Sequence, residues 1–169
     1  MAMTTTNERG QSTLATIFTV IIFVLITGII VDVYTAWTAR EWAYRAASSA
    51  ALRGVTVGRD FNAFYATGQW SLDATAAQTE AAAALAEEMA AHNVSNYSAD
   101  IRVLPNSGGG MIAGYPPVAR ARQAGGDWST GEPSVGVYVS MPVRTFFLNM
   151  VNGGADFQVH VFAAAGLPH

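Results

Sequence analysis

The chain has 169 residues, with nine basic side chains (all Arg), twelve acidic ones, a net charge of −3 and no Cys. Charged residues make up 12% and hydrophobic ones 51%, which argues against disorder along the whole chain and against strong non-specific nucleic-acid binding, which needs a net positive surface. Without Cys there is no disulfide framework, no thiolate zinc site and no cysteine nucleophile.

No Asp, Glu, Lys or Arg lies between Arg9 and Asp32, and Leu14 to Val31 is apolar apart from Thr16, Thr19, Thr27 and Gly28. A helix of about 20 apolar residues crosses a ~30 Å hydrocarbon core, and residues 11–31 have that length. Helix is the state in which a single lipid-embedded segment satisfies its own backbone hydrogen bonds. The apolar run exceeds the ~7–15 residues of a secretory signal, and no A-x-A-like cleavage site follows. Tyr34, Trp37, Trp42 and Tyr44 suit a membrane–water interface beyond it. The segment is therefore predicted to be an uncleaved span over 11–34. Asp32, at its outer end, must reach water or a partner, such as Arg40 of a neighbouring copy. Thr16, Thr19, Thr27, Gly28 and Asp32 are candidates for helix–helix contact in lipid, where small and polar residues drive association. The positive charges lean toward an outward N-terminus, whereas a short tail ahead of the bulk of the chain suits an outward-facing domain.

Helical signals continue through an Ala-rich stretch to Gly54, a natural stop. A projecting helix is expected over 35–54, with Ala43, Ala46, Ala47, Ala50 and Ala51 packed against the chain's own domain. Residues 55–70 read as a connector with scattered aromatics. A second helix is predicted from about Leu72 to His92, with Ser71 or Asp73 as N-cap, Leu85 and Met89 at i, i+4 spacing, and Glu80, Glu87 and Glu88 facing water.

The C-terminal third alternates with period two: Ile101 and Val103, then Val135, Val137, Val139 and Met141, then Phe157, Val159 and Val161. Such alternation marks strands with one buried face. Pro142 is expected to end the second strand or place it at an edge. An extracytoplasmic α+β domain over 55–169, with a mainly antiparallel sheet covered by helix, is the economical arrangement. Residues 105–133, rich in Gly, Pro and Ser, are expected as a flexible loop, on which Tyr115, Arg120, Arg122 and Trp128 offer a binding surface. The apolar turn 143–151 is expected to cap the core, with contact at the bilayer surface as the alternative.

The residues offer no active site. There is no G-x-S-x-G and no Walker loop, and His92, His160 and His169 lack metal-ligand spacing. Gly108-Gly109-Gly110 lacks the strand–turn–helix setting of a phosphate loop. No catalytic residue, cofactor, metal or small-molecule substrate is expected, and no nucleic-acid partner.

Arg9-Gly10-Gln11 before the long apolar helix, then Val31-Asp32-Val33-Tyr34, Thr38-Ala39-Arg40 and the Ala46–Gly54 run, resemble the N-terminal region of TadE/TadG-like proteins. These are minor pilins (pseudopilins) and assembly proteins of the tight-adherence, Flp-type IVb pilus. Val139-Ser-Met-Pro-Val-Arg-Thr-Phe-Phe-Leu148, followed by a strand ending in small residues, is similar to the C-terminal pattern of the TadE group. The resemblance covers about residues 9–54 and 135–165. It implies a pilin-like fold and an inner-membrane, single-pass anchor with residues 1–10 as a cytoplasmic tail or leader. It also implies other pilus or secretion subunits, or self-association, as partners, and cleavage by a prepilin peptidase between Gly10 and Gln11. Ala15 stands where pilin-type substrates carry Glu, a departure shared by TadG-like members, so both a processed subunit and a lasting anchor stay open. From another class, a stand-alone anchored binding or adhesion module using 105–133 is the alternative.

Overall fold

The computed structural model describes residues 8–120, 123–151 and 153–167, with side chains from Thr13 onward except those of Arg120 and Gln123. Arg122 and His169 lie outside the described residues. The chain forms α1 (Glu8–Val57), α2 (Phe61–Thr67), α3 (Ala74–Ala91), β1 (Ser98–Leu104), β2 (Gly110–Ile112), β3 (Val118–Arg120), β4 (Gln123–Ala124), β5 (Trp128–Thr130), β6 (Ser134–Val143), α4 (Phe147–Val151) and β7 (Phe157–Gly166). Two compact units share them. One combines the described residues through Trp37 with Arg144–Phe157. The other holds Thr38–Val143 and the chain from Gln158 onward.

In the first unit, α1 carries an 18-residue window of mean hydropathy 2.9, none of it buried. Leu14, Phe18 and Phe23 are 70%, 66% and 70% exposed. By length and composition this is a candidate membrane span.

In the second unit, helix and sheet meet through small side chains. Ala43, Ala46, Ala47, Ala50 and Ala51 of α1 are buried, as are Ala77, Ala81, Ala84, Leu85 and Met89 of α3. A Cβ added at Gly54 would lie 2.8 Å from the Ala77 carbonyl oxygen and 2.9 Å from the Ala81 Cβ. The two helix backbones approach closely because neither carries bulk at the crossing. Arg53 of α1 sits between Glu80 (3.3 Å) and Glu87 (3.4 Å) of α3. Asp73 caps α3, accepting from the amides of Thr75 (2.9 Å) and Ala76 (3.0 Å). The expected connector contains α2, capped by Asp60, with Phe64 stacked on Trp70 at 4.1 Å between centroids.

Among the described residues the main sheet has the order β1-β6-β7. β1 and β6 are antiparallel, from Ser98↔Ser140 to Leu104↔Ser134. In β6 both faces are covered rather than the one expected, since Ser134, Gly136 and Tyr138 are buried too; Val135, Val137, Val139 and Met141 share one of them, and a Cβ at Gly54 would meet Val135 at 3.4 Å. This face lies against the helices. β6 is the central strand, not an edge, but it ends at Val143, one residue after Pro142, as the first of the two expectations had it. Pro142 lies beyond Ser140, the last β6 residue paired with β1, where no β1 carbonyl needs its missing N–H.

The opposite face is covered by the segment expected to be a loop. Within 105–133, β2 pairs with β5 and β3 with β4. Leu104, Tyr115, Trp128 and Tyr138 form a buried cluster joined by Ile112, Val118 and Phe162. Gly136 admits it, since a Cβ there would lie 3.0 Å from the Trp128 ring. The Tyr115 hydroxyl donates to the carbonyls of Asp100 (2.8 Å) and Gly136 (2.9 Å). Burial, reinforced by the Asp100 charge, raises its pKa far above the ordinary phenol value. Tyr115 and Trp128 therefore build a second core layer rather than a binding surface.

At the edge of that layer, the Tyr138 hydroxyl lies 2.9 Å from Nδ1 of His160, and burial lowers the His160 pKa below 6.5. The unfolded chain then takes up the proton first as pH falls, so the folded state loses stability below about pH 6.5. The melting temperature of the protein should fall through that window, and His160→Gln should reduce the fall. Gly54→Val, which forces a branched side chain into the α1–α3 contact, should destabilise the domain by about 1–3 kcal/mol in denaturant unfolding.

Candidate functional site: the apolar helix and its Asp32 clasp

β6 leads into a segment without a charged side chain from Thr145 to Ala155. Its short helix α4 has the usual shortage of carbonyl partners for its first amides. Asp32 of α1 fills the shortage. Its carboxylate accepts from the amides of Phe146 (3.0 Å), Phe147 and Leu148 (2.9 Å). Asp32 is consequently only 6% exposed, although Val31 and Val33 on either side are 56% and 53% exposed.

One turn earlier on the same helix face stands Gly28. A Cβ there would overlap the Phe147 ring. The hydrogen bonds fix the α4 backbone, and the glycine makes room for its first aromatic side chain. The segment closes on itself as well. The Thr145 hydroxyl donates to Asn149 Oδ1 (2.8 Å), the Asn149 amide nitrogen donates to Asp156 (3.1 Å), and the Gly154 amide donates to the Asn149 carbonyl (2.7 Å). Gly153 and Gly154 supply the left-handed turn, with φ of 68° and 85°. Phe146, Met150 and Val151 are left 70%, 73% and 87% exposed.

This corrects the expectation that 143–151 caps the core. Val143 is buried, but α4 has no buried residue, and the segment lies on the apolar helix instead. Asp32 was expected to find interfacial water or Arg40 of another copy, yet its acceptors are filled from within the chain. Gly28 likewise meets an intrachain aromatic. Thr16, Thr19 and Thr27 stay exposed, and the Thr19 hydroxyl donates back to the Ala15 carbonyl at 2.8 Å. Gly10 and Gln11 lie in the first turns of α1, and the side chain of Gln11 is outside the described residues. Sequence reasoning singled out Gly28 and Asp32 but not their partners, Phe147 and the 146–148 amides. Nothing in the side-chain pattern links those partners to Asp32, 114 positions away.

The second unit carries a cleft of about 360 Å³ lined by Gly68, Gln69, Trp70, Ser107, Gly108, Pro133 and Leu167. Among the described residues its lining carries no titratable side chain. Among the described residues no three His, Asp or Glu side chains gather as a metal site would require.

The clasp makes a direct prediction. Asp32→Ala should speed hydrogen exchange in peptides covering 144–151 while leaving those of β6 protected. Gly28→Val, which displaces Phe147 without touching the carboxylate, should produce the same pattern. Neither protein-family models, nor curated proteins, nor solved structures match the chain.

Proposed function

We propose that the chain is a single-pass protein of the bacterial inner membrane, with a cytoplasmic N-terminus and an extracytoplasmic α+β domain. In this reading it serves as a structural component of a Tad/Flp-type pilus or related secretion apparatus, as a TadE/TadG-like minor pilin or membrane-anchored assembly protein. The observation that carries the proposal is the exposed apolar half of α1, with a window of mean hydropathy 2.9 of which no residue is buried. Each large apolar side chain there gains ~1.5–3 kcal/mol on leaving water, and an acyl-chain environment supplies that gain along the entire helix. The residue patterns around Gly10, Asp32 and 139–148 support the family assignment. A structural role also suits a domain whose conspicuous aromatics, Tyr115 and Trp128, are internal. The same burial weighs against the anchored binding module, which needs those rings at its surface.

The partners in this reading are the lipid bilayer, further pilus or secretion subunits or other copies of the chain, and a prepilin peptidase. Laterally associating helices would use Thr16, Thr19 and Thr27, whose side chains are exposed on α1.

Two measurements test it. The protein should stay in the membrane pellet through an alkaline carbonate wash and dissolve only with detergent; release by the wash would overturn the anchor. Protein purified from membranes should co-purify with other secretion-apparatus subunits, and its mass distinguishes the two family roles. Loss of residues 1–10 marks a processed pilin, and full length marks a lasting anchor. A chain that purifies alone, from cells whose surface filaments survive its deletion, would overturn the pilus role.

A further inference from the structure

We infer that the α4 segment is a second lipid-contacting surface, in which Phe146, Met150 and Val151 enter the interfacial layer of the bilayer beside the outer end of the span. This rests on the membrane-anchored reading above and extends it from one contact to two.

Four observations converge on lipid as the occupant. First, the segment is tied to the span itself. The Asp32 carboxylate holds the 146–148 amides and Gly28 receives the Phe147 ring. The exposed tip is therefore held to the same stretch of α1 in which Ile29 and Ile30 are 46% and 63% exposed. Second, residues 145–155 contain no charge, while Arg144 and Asp156 bracket them. Absence of charge lets the tip pass beyond the headgroups toward the acyl boundary, since the cost of a charge rises toward the hydrocarbon interior.

Third, several of its described polar groups find partners within the chain, which lowers the cost of a low-water environment. Asp32 serves the first three amides, the Met150 amide donates to the Phe146 carbonyl at 3.3 Å, and Gly154 donates to Asn149. The Asp32 carboxylate, itself only 6% exposed, is screened from acyl chains by the backbone it binds. Fourth, Tyr34 and Trp37, with ring centroids 6.4 Å apart and 63% and 60% exposed, follow within two turns of α1. Such residues mark the headgroup level. The tip, anchored one turn below them, falls at the depth of roughly 5–10 Å that interfacial apolar faces reach.

The lack of Cys allows a test on the full chain. Single-Cys variants Met150→Cys, Val151→Cys, Ile30→Cys and Tyr65→Cys are spin-labelled and reconstituted in vesicles of phosphatidylethanolamine and phosphatidylglycerol. Collisions with oxygen, which concentrates in lipid, are compared with those of a water-soluble nickel complex. The labels at Met150 and Val151 should follow the one at Ile30, with oxygen dominant, while that at Tyr65 is dominated by nickel. Nickel-dominated signals at both tip positions with Ile30 still in lipid would overturn the second contact and leave the anchor standing. A nickel-dominated Ile30 would overturn the anchor itself. Shielding of the tip from both reagents, with spin–spin broadening, would assign the surface to another copy and overturn the lipid proposal. In an Asp32→Ala background the Met150 label should shift toward nickel while Ile30 stays unchanged. An unshifted Met150 would overturn the role of Asp32 in positioning the tip.

Discussion

Uncovered apolar surface on the first half of α1 is the constraint to which the rest of the chain answers. Apart from Gly28 and Asp32, the residues from Leu14 to Val33 are exposed, and water is a poor medium for so much contiguous hydrocarbon. A lone carboxylate at the end of such a helix faces the reverse problem. Asp32 is itself only 6% exposed, so it needs hydrogen-bond donors close by. The chain meets this need with backbone amides that were themselves short of acceptors. Two deficits, one at Asp32 and one at the start of α4, cancel in a single contact. Gly28 makes the contact sterically feasible by leaving space for the Phe147 ring.

The second unit is organised by a different economy, in which small residues set the distances. The alanines of α1 and α3, with Gly54 at the crossing, bring backbone near backbone and present a smooth surface to the valines of β6. Dispersion contacts between many small groups replace the interlocking of a few large ones. The large aromatic side chains are reserved for the other face of the sheet, where Tyr115, Trp128, Tyr138 and Phe162 meet around Gly136. Because successive residues of a strand point to opposite faces, β6 serves both layers at once, with odd positions toward the helices and Tyr138 toward the aromatic cover.

The two layers also account for what the middle of the chain does. A sheet with an apolar second face requires a cover, and residues 105–133 provide it with four short strands too brief to register as periodic pattern. Their abundant Gly and Pro, which read as flexibility, instead punctuate tight connections between those strands.

The sequence by itself determined the features encoded in neighbouring residues: the apolar helix, the Ala-rich face ending near Gly54, the Asp73-capped second helix and the alternating strands around Val137 and Val159. Each is a local periodicity or a local cap, readable because the chain repeats its chemistry every two or 3.6 residues. Only the tertiary structure decided the partner of Asp32, the placement of α4 on the apolar helix, the central position of β6 despite Pro142, and the inward packing of Tyr115 and Trp128. These depend on groups far apart in the chain, 114 positions for Asp32 and Phe146. The donors in that contact are backbone amides, which every residue except proline possesses, so no side-chain pattern announces them.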